Sequence, residues 1–470
     1  SATMKTVAEF YALEEKLPPP TLSWGLVDLE DGTSLDMMSY GNRPLPLIRD
    51  EVAYVGDSDL WCVQQVFDHI ATTLGDFVPS EWKPRHGPGA VSDLTLGKEF
   101  KFDFPTWSER LENVFPVADY GFSNYGDWSD ALQDGDVPED SDAPSRLVCV
   151  PKTMKGPRLI ACEPTSNQWC QQILLDYFGT RIGATWLGLS IKLNNQSYNQ
   201  AAARKASMDG GHWTVDLSSA SDRVTCRFVE RAFRRNPPLL RALNASRTPI
   251  VYQRIDKKSP LFWVLKKFST MGSACTFPVE SLCFLGLAIS AVLISQGLRP
   301  TYLNVTEAAR DVLVFGDDIV APSISGDVLR VLLHHFDFEV NPNKTFGNGK
   351  FRESCGADMY DGIDVTPSYI QRFPDARQPE SVVSAVATSN NFFTRGLWRT
   401  AAYLQRLVPH YNIGVVAAGS GQFGFVSYCG SLVGKTYTDE NLQKEYVRRV
   451  TPIGVARRCK PDSRGRLLQY

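Results

Sequence analysis

The 470-residue sequence has no C-x-x-C pair and no Cys/His grouping at zinc-ligand spacing, although it holds ten cysteines. Neither a structural zinc site nor a disulfide framework is expected, and a reducing cytosol fits the pattern. No apolar run reaches the ~18 to 20 residues that a membrane span needs. The longest, Leu282 to Ile294, follows Glu280 and reads as a buried helix, so no membrane partner is expected. No basic, apolar, small-residue leader opens the chain, and Ser1 to Thr3 before Met4 could be a cloning remnant. Internal repeats and low-complexity tracts are missing, and the six histidines show no ligand spacing and receive no role. An excess of one charge is missing too, with a net charge of -3.

What is present is an ordinary folded composition, 43% hydrophobic and 21% charged, with length enough for several subdomains. Charge is segregated along the chain. Arg223 to Lys267 carries twelve Lys/Arg against Glu230 and Asp256, whereas Val117 to Ser145 holds eight Asp/Glu and no Lys/Arg. A further basic run spans Arg448 to Arg466. Such stretches are solvated faces or nucleic-acid contacts, and alone they do not decide between the two. The acidic segment Tyr120 to Asp142 reads as a loop and a boundary. The aromatics of the N-terminal third read as core rather than as base-stacking platforms.

Leu147 to Val150 is strand-like and is followed by a basic turn. Gly210-Gly211 introduces His212 to Leu217, whose β-formers predict a buried strand ending in Asp216, with a helix from about Ser219. The loop Ser269 to Thr276 leads into an apolar helix from Pro278 to Ser295. Asp311 to Phe315 and Ile319 to Ala321 are β-like runs on either side of Gly316-Asp317-Asp318, a hairpin with two carboxylates at its tip. A helix over Leu329 to Phe336, a strand over Phe338 to Val340 and a helical stretch from Thr394 to Leu407 follow. Strands and helices interleave without regular βαβ repetition, so the expected class is α+β.

Gly and Asp are common in turns for backbone reasons alone. Order gives this turn more weight: basic loop, strand ending in Asp, Ser/Gly loop with helix, strand-Gly-Asp-Asp-strand, then a lysine after a strand. Phosphoryl transfer from a nucleoside triphosphate uses two divalent ions about 3.5 to 4 Å apart held by hard oxygen ligands. Asp216 and Asp317-Asp318 would supply them if their strands lie side by side, and adjacent buried acids call for a cation.

Val150-Pro151-Lys152, Thr214-Val215-Asp216-Leu217-Ser218 with Ala220-Ser221-Asp222, and Met271-Gly272 with Thr276-Phe277 and Glu280-Ser281-Leu282 form a series. Gly316-Asp317-Asp318-Ile319, Phe351 to Gly356 and Gly362 to Pro367 continue it. Together they resemble the motif series of the leviviral (single-stranded RNA coliphage) replicase catalytic subunit, over about Val148 to Arg372. The resemblance implies an RNA-dependent RNA polymerase shaped as a right hand of fingers, palm and thumb, with an antiparallel palm sheet packed on helices. Residues 1–145 would be an N-terminal region with part of the fingers, and 146–211 fingers with a basic nucleotide-binding loop. Palm would span 212–365 with a basic fingers insertion at about 236–268, and thumb and C-terminal region 366–470.

By position the resemblance makes Asp216 and Asp317 bridging ligands of two Mg²⁺ ions, with Mn²⁺ able to substitute, and Asp318 a secondary ligand. Ser221 or Asp222 would test the ribose 2′-hydroxyl. Lys152, Lys155 and Arg158 would lie over the triphosphate, or form a solvated basic turn. Ser269, Gly272 and Thr276 would contact the templating base and ribose, or simply open a helix with Thr276 as its cap. Lys344 would protonate pyrophosphate or pair with a phosphate. Phe351 and Arg352 would steady the growing strand or form a structural turn. Implied partners are RNA template, NTPs, host elongation factors Tu and Ts and a ribosomal RNA-binding protein. Initiation would need no primer, and the location would be the cytoplasm of the bacterial host. A reverse transcriptase and a non-catalytic RNA-binding protein with a palm fold are the alternatives.

Overall fold

The computed structural model describes residues 2–20, 47–48, 51–52, 55–94, 101–153, 156–370, 373–408, 411, 413–429, 436–447 and 450–453. Lys155 and most of the basic run from Arg448 to Arg466 lie outside them. The chain divides into two compact units, with the boundary between Val365 and Thr366.

The first unit begins with helices α1 (Ala2–Lys16) and α2 (Asp57–Leu74), strands β1 (Ser145–Thr153) and β2 (Gly156–Cys162), and helix α3 (Thr165–Ala184). Next come β3 (His212–Val215), β4 (Leu217–Ser218), the one-turn helix α4 (Ala220–Arg223), β5 (Ile250–Tyr252) and β6 (Phe262–Val264). Helix α5 (Thr276–Ser295) precedes β7 (Leu313–Phe315) and β8 (Asp318–Pro322). Helix α6 (Gly326–His335), β9 (Glu339–Val340), β10 (Phe351–Ser354), β11 (Ala357–Tyr360) and β12 (Ile363–Asp364) complete it. The sheets run in the orders β2-β1-β5-β6, β3-β8-β7, β9-β4 and β10-β11-β12. This is the α+β mixture that the sequence predicts.

Helix α5 organises the core. It is apolar on every side, and such a helix has to be enclosed. Leu282, Leu285, Leu287, Ile289 and Leu293 are fully buried, each contributing about 1.5–3 kcal/mol by leaving water. The helix is long and apolar enough to cross a membrane, but nearly all of it is covered by the protein's own packing. Phe228 links this core to its neighbours, meeting Phe67 of α2, Phe336 and Phe338 edge-on, while Phe284 of α5 also meets Phe338. The N-terminal aromatics Phe104, Trp107, Phe115 and Tyr120 join the same core, as expected of them.

Three sequence expectations change. The acidic segment Tyr120 to Asp142 is not all loop: Tyr125–Asp134 is a helix, capped by the Asn124 side chain and closed by Gly135. The basic stretch Arg223 to Lys267, left open between solvated face and nucleic-acid contact, is in part neither, because Arg231, Arg247 and Lys267 are buried and Arg234 pairs with Asp68 at 2.7 Å. The expected helical stretch Thr394 to Leu407 is helical from Trp398 to Leu407, while Thr394 ends a separate helix, Pro379–Thr394, and Arg395 to Leu397 lie between the two. Those helices belong to the second unit. There they bury Val382, Val386, Phe392 and Leu404 beside a parallel pair of short strands, Val415–Ala417 and Phe425–Ser427.

Candidate active site

Thr214 and Val215 are buried β-formers, and they pair β3 antiparallel to β8 with Ile319 opposite Val215. Carrying that ladder one step further sets Asp216 opposite Asp318. Strand β8 returns from β7 through a two-residue turn, Gly316-Asp317, with Phe315 opposite Asp318. Gly316 has φ +63°, the backbone that primed hairpin turns require of their first central residue. A Cβ there would stand 2.7 Å from the Phe277 ring, so the turn also needs glycine for space. Ser281 of α5 fixes the tip by accepting the Gly316 N–H at 3.0 Å. The acids therefore ride on a hairpin bolted to the core helix.

Asp216 and Asp317 line one cleft of about 400 Å³, joined there by the acids Asp222 and Glu280. The bases Lys152, Arg158 and Lys344 line the same cleft. Asn341 donates from Nδ2 to Asp216 Oδ2 at 2.9 Å and from its backbone N–H to the Asp216 carbonyl, so it holds both the side chain and the main chain of that residue. Lys344 donates to Glu353 at 3.0 Å and stands 3.8 Å from Asp216 Oδ1. Asp222 accepts from Lys267 Nζ at 2.7 Å. The Ser221 hydroxyl is buried with no hydrogen-bond partner among the described residues.

The electrostatics follow from burial. Asp317 is raised above the ordinary carboxylate range first by burial and then by the Asp216 charge, with Lys152 and Arg158 opposing. Asp318 is pushed up to about 6, by burial and then by Asp317 and Asp216, against hydrogen bonds from Cys355. Glu280 is raised far above the usual range by burial, with Asp317 and Asp222 adding to it. Lys152 is lowered by partial burial and by Arg158, which the charges of Asp317 and Asp216 oppose. Burial also lowers Lys344, but its hydrogen bond to Glu353 and the Asp216 charge leave it raised.

Crowded, half-desolvated carboxylates opposite lysine and arginine suit a divalent cation carrying a polyphosphate. Among the described residues no three His, Cys, Asp or Glu side chains close into a ready-made cage. That is compatible with Mg²⁺, which takes only a few carboxylates and fills its shell with phosphate and water oxygens. Nine cysteines among the described residues are free.

Several residues singled out in the sequence are placed elsewhere. Asp318 is not at the cleft wall; its carboxylate is turned toward Cys355. Ser269 and Thr276 are buried and bond to each other at 2.7 Å, and Cys275, not Thr276, holds the cap position of α5. Gly272 is a backbone requirement: with φ +133°, a Cβ on it would meet the Ala161 carbonyl oxygen at 1.9 Å. Arg352 is 0% exposed, and its guanidinium donates to the carbonyls of His212, Gly347, Gly349 and Phe351. A guanidinium so enclosed ties β10 to β3 and is not available to a nucleic-acid strand, which corrects that expectation for Arg352. Phe351 packs edge-on against Phe346. Sequence reasoning gave no role to Asn341, Glu280, Ser281 or Lys267. Glu280, an acid on an otherwise apolar helix, and Ser281 beside it are in the motif series but carry no assigned role.

Residues 133–382, just over half of the chain, match the family described as RNA replicase, beta-chain. The chain belongs to that family. Among its relatives, the RNA-directed RNA polymerase subunit beta of Escherichia virus Qbeta is 36% identical over 66% of this chain and 49% of its own length. The subunit of that name from Qbeta virus strain MX1 is 30% identical over 83% of this chain and 63% of its own. The RNA-directed RNA polymerase beta chain of Escherichia phage MS2 is 36% identical over 47% of this chain and 37% of its own. The chain thus spans between 37% and 63% of the length of these relatives. The replicase beta-chain match encloses Asp216, Asp317, Lys152, Arg158 and Lys344, but not α1.

Proposed function

We propose that this chain is the catalytic part of an RNA-directed RNA polymerase that replicates a single-stranded RNA phage genome from NTPs. The observation that carries the reading is the meeting of Asp216 and Asp317 with Lys152, Arg158 and Lys344 in one cleft of a replicase beta chain. The β3-β8-β7 sheet on α5 would then be the palm, with fingers at 146–211 and thumb from 366.

Asp216 and Asp317, with Asp318 behind them, would hold two Mg²⁺ ions, or Mn²⁺ in their place. When bound, such ions activate the attacking 3′-hydroxyl and stabilise the charge of the departing pyrophosphate. The chain's own groups do the rest. Asn341 aims the Asp216 carboxylate. Lys152 and Arg158 bind the triphosphate, together with Lys155. Lys344, kept protonated by Glu353 and Asp216, gives its proton to the leaving pyrophosphate. Of the two candidates Ser221 and Asp222, Asp222 reads the ribose, since its carboxylate reaches the cleft while the Ser221 hydroxyl is buried.

Primer-free initiation, cytoplasmic location in a bacterial host, and work alongside elongation factors Tu and Ts and a ribosomal RNA-binding protein are supported by family likeness alone. The relatives are named as beta subunits or chains, which suits a multi-subunit enzyme. The decisive assay is incorporation of labelled NTPs on a short RNA ending in 3′-C, with and without Mg²⁺. Incorporation is expected with the ion and not without it, and Asp216→Ala should abolish it. Equal incorporation by Asp216→Ala would refute the reading.

A further inference from the structure

We infer that the N-terminal helix α1, which lies outside the family match, is part of the nucleotide site and sets how strictly the ribose is read. The inference rests on the assignment of Asp222 to the ribose given above. Thr6, Glu9, Phe10 and Leu13 of α1 line the same cleft as Asp216 and Asp317. The helix grips Lys267 at both ends. Glu14, itself buried, accepts the backbone N–H groups of Lys266 and Lys267, the latter at 3.1 Å. At the other end the Phe10 ring centroid lies 3.6 Å from Lys267 Nζ.

Lys267 is 1% exposed, and its ammonium donates to Asp222 Oδ1 at 2.7 Å. An ammonium that has lost its water needs a carboxylate and a ring face in its place. Phe10 and Asp222 supply them from opposite elements. The consequence is directional. With one oxygen of Asp222 taken by Lys267, the carboxylate is held with its other oxygen toward the cleft that Asp222 lines. A ribose hydroxyl would meet the second oxygen of Asp222, which reaches the cleft, whereas a 2′-deoxyribose would leave that oxygen unmet, and a polar group of the site left unmet is the strong form of discrimination. Phe10, Glu14 and Lys267 are positioning residues: they act through Asp222 and touch no reacting atom.

The test is competition between an NTP and its 2′-deoxy counterpart on an RNA template, read as the ratio of the two kcat/KM values. Phe10→Leu keeps apolar volume but removes the ring, and should lower the preference for NTP about 3- to 10-fold. Lys267→Met should lower it at least as far, and Phe10→Tyr should restore it. A merely structural role for Phe10 would depress both substrates together and leave the ratio alone. A ratio within about 2-fold of wild type in both Phe10→Leu and Lys267→Met would overturn the inference. If Phe10→Leu does not fold, Lys267→Met decides alone by the same ratio. Failure of the wild-type chain to incorporate any nucleotide would instead remove the polymerase reading.

Discussion

The two walls of the cleft are built by opposite means. On the acidic wall the carboxylates are half-buried and tied down: Asp216 by Asn341, and the Asp317 turn through Gly316 to Ser281. On the basic wall Lys152 and Arg158 stand on the β1-β2 hairpin, largely open to solvent although the Lys152 ammonium is partly desolvated, and the hairpin's register shifts between Val150 and Thr153. An exposed cation is solvated and costs the fold little, while a desolvated anion costs it a great deal unless a counter-charge arrives. The acidic wall is therefore where stability has been given up for chemistry, and the basic wall is where affinity can be added cheaply.

Neighbouring acids test this contrast most sharply. Asp317→Asn should lower nucleotide incorporation by at least about 10³-fold while leaving the melting temperature of the ion-free protein unchanged or higher. Retained activity with full ion dependence would mean that the turn is only structural. Asp318→Asn should show the other half of the contrast, a gain of about 1–3 kcal/mol in the stability of ion-free protein near pH 7.5. The sign follows from its raised value of about 6. The folded state holds this proton more tightly than the unfolded chain does, so the stability is present below the ordinary carboxylate range and is lost as pH rises through about 6. Denaturant melts of wild type and Asp318→Asn should thus converge at pH 4 and part at pH 7.5. The smallest effect belongs to the basic wall: Lys152→Ala or Arg158→Ala should raise KM for NTP about 5- to 10-fold with no change in melting temperature. A loss of stability there would show that the hairpin is as tightly built as its acidic counterpart.

The sequence disclosed what is local and repeated. A run of β-formers between glycines and acids put Asp216 at a strand end, and two β-runs around Gly316 put Asp317 at a hairpin tip. It did not disclose what depends on partners more than a hundred residues away. The hydrogen bond from Asn341 to Asp216 and the one from the Arg352 guanidinium to the His212 carbonyl are of this kind. The basic stretch from Arg223 shows the same limit, since a count of cations does not tell which are buried, as Lys267 is, and which meet solvent, as Arg235 does. Hydroxyls misled for a related reason: Ser269 and Thr276 satisfy each other inside the protein instead of facing the cleft.

The antiparallel ladder between β3 and β8 counts residues in steps of two, and that gives the stretch from His212 to Asp216 a property its composition does not reveal. One extra residue inserted there could keep every rung of the sheet and still swing the Asp216 side chain to the opposite surface. In this segment of chain length is information, and evolution is freer to change its letters than their number.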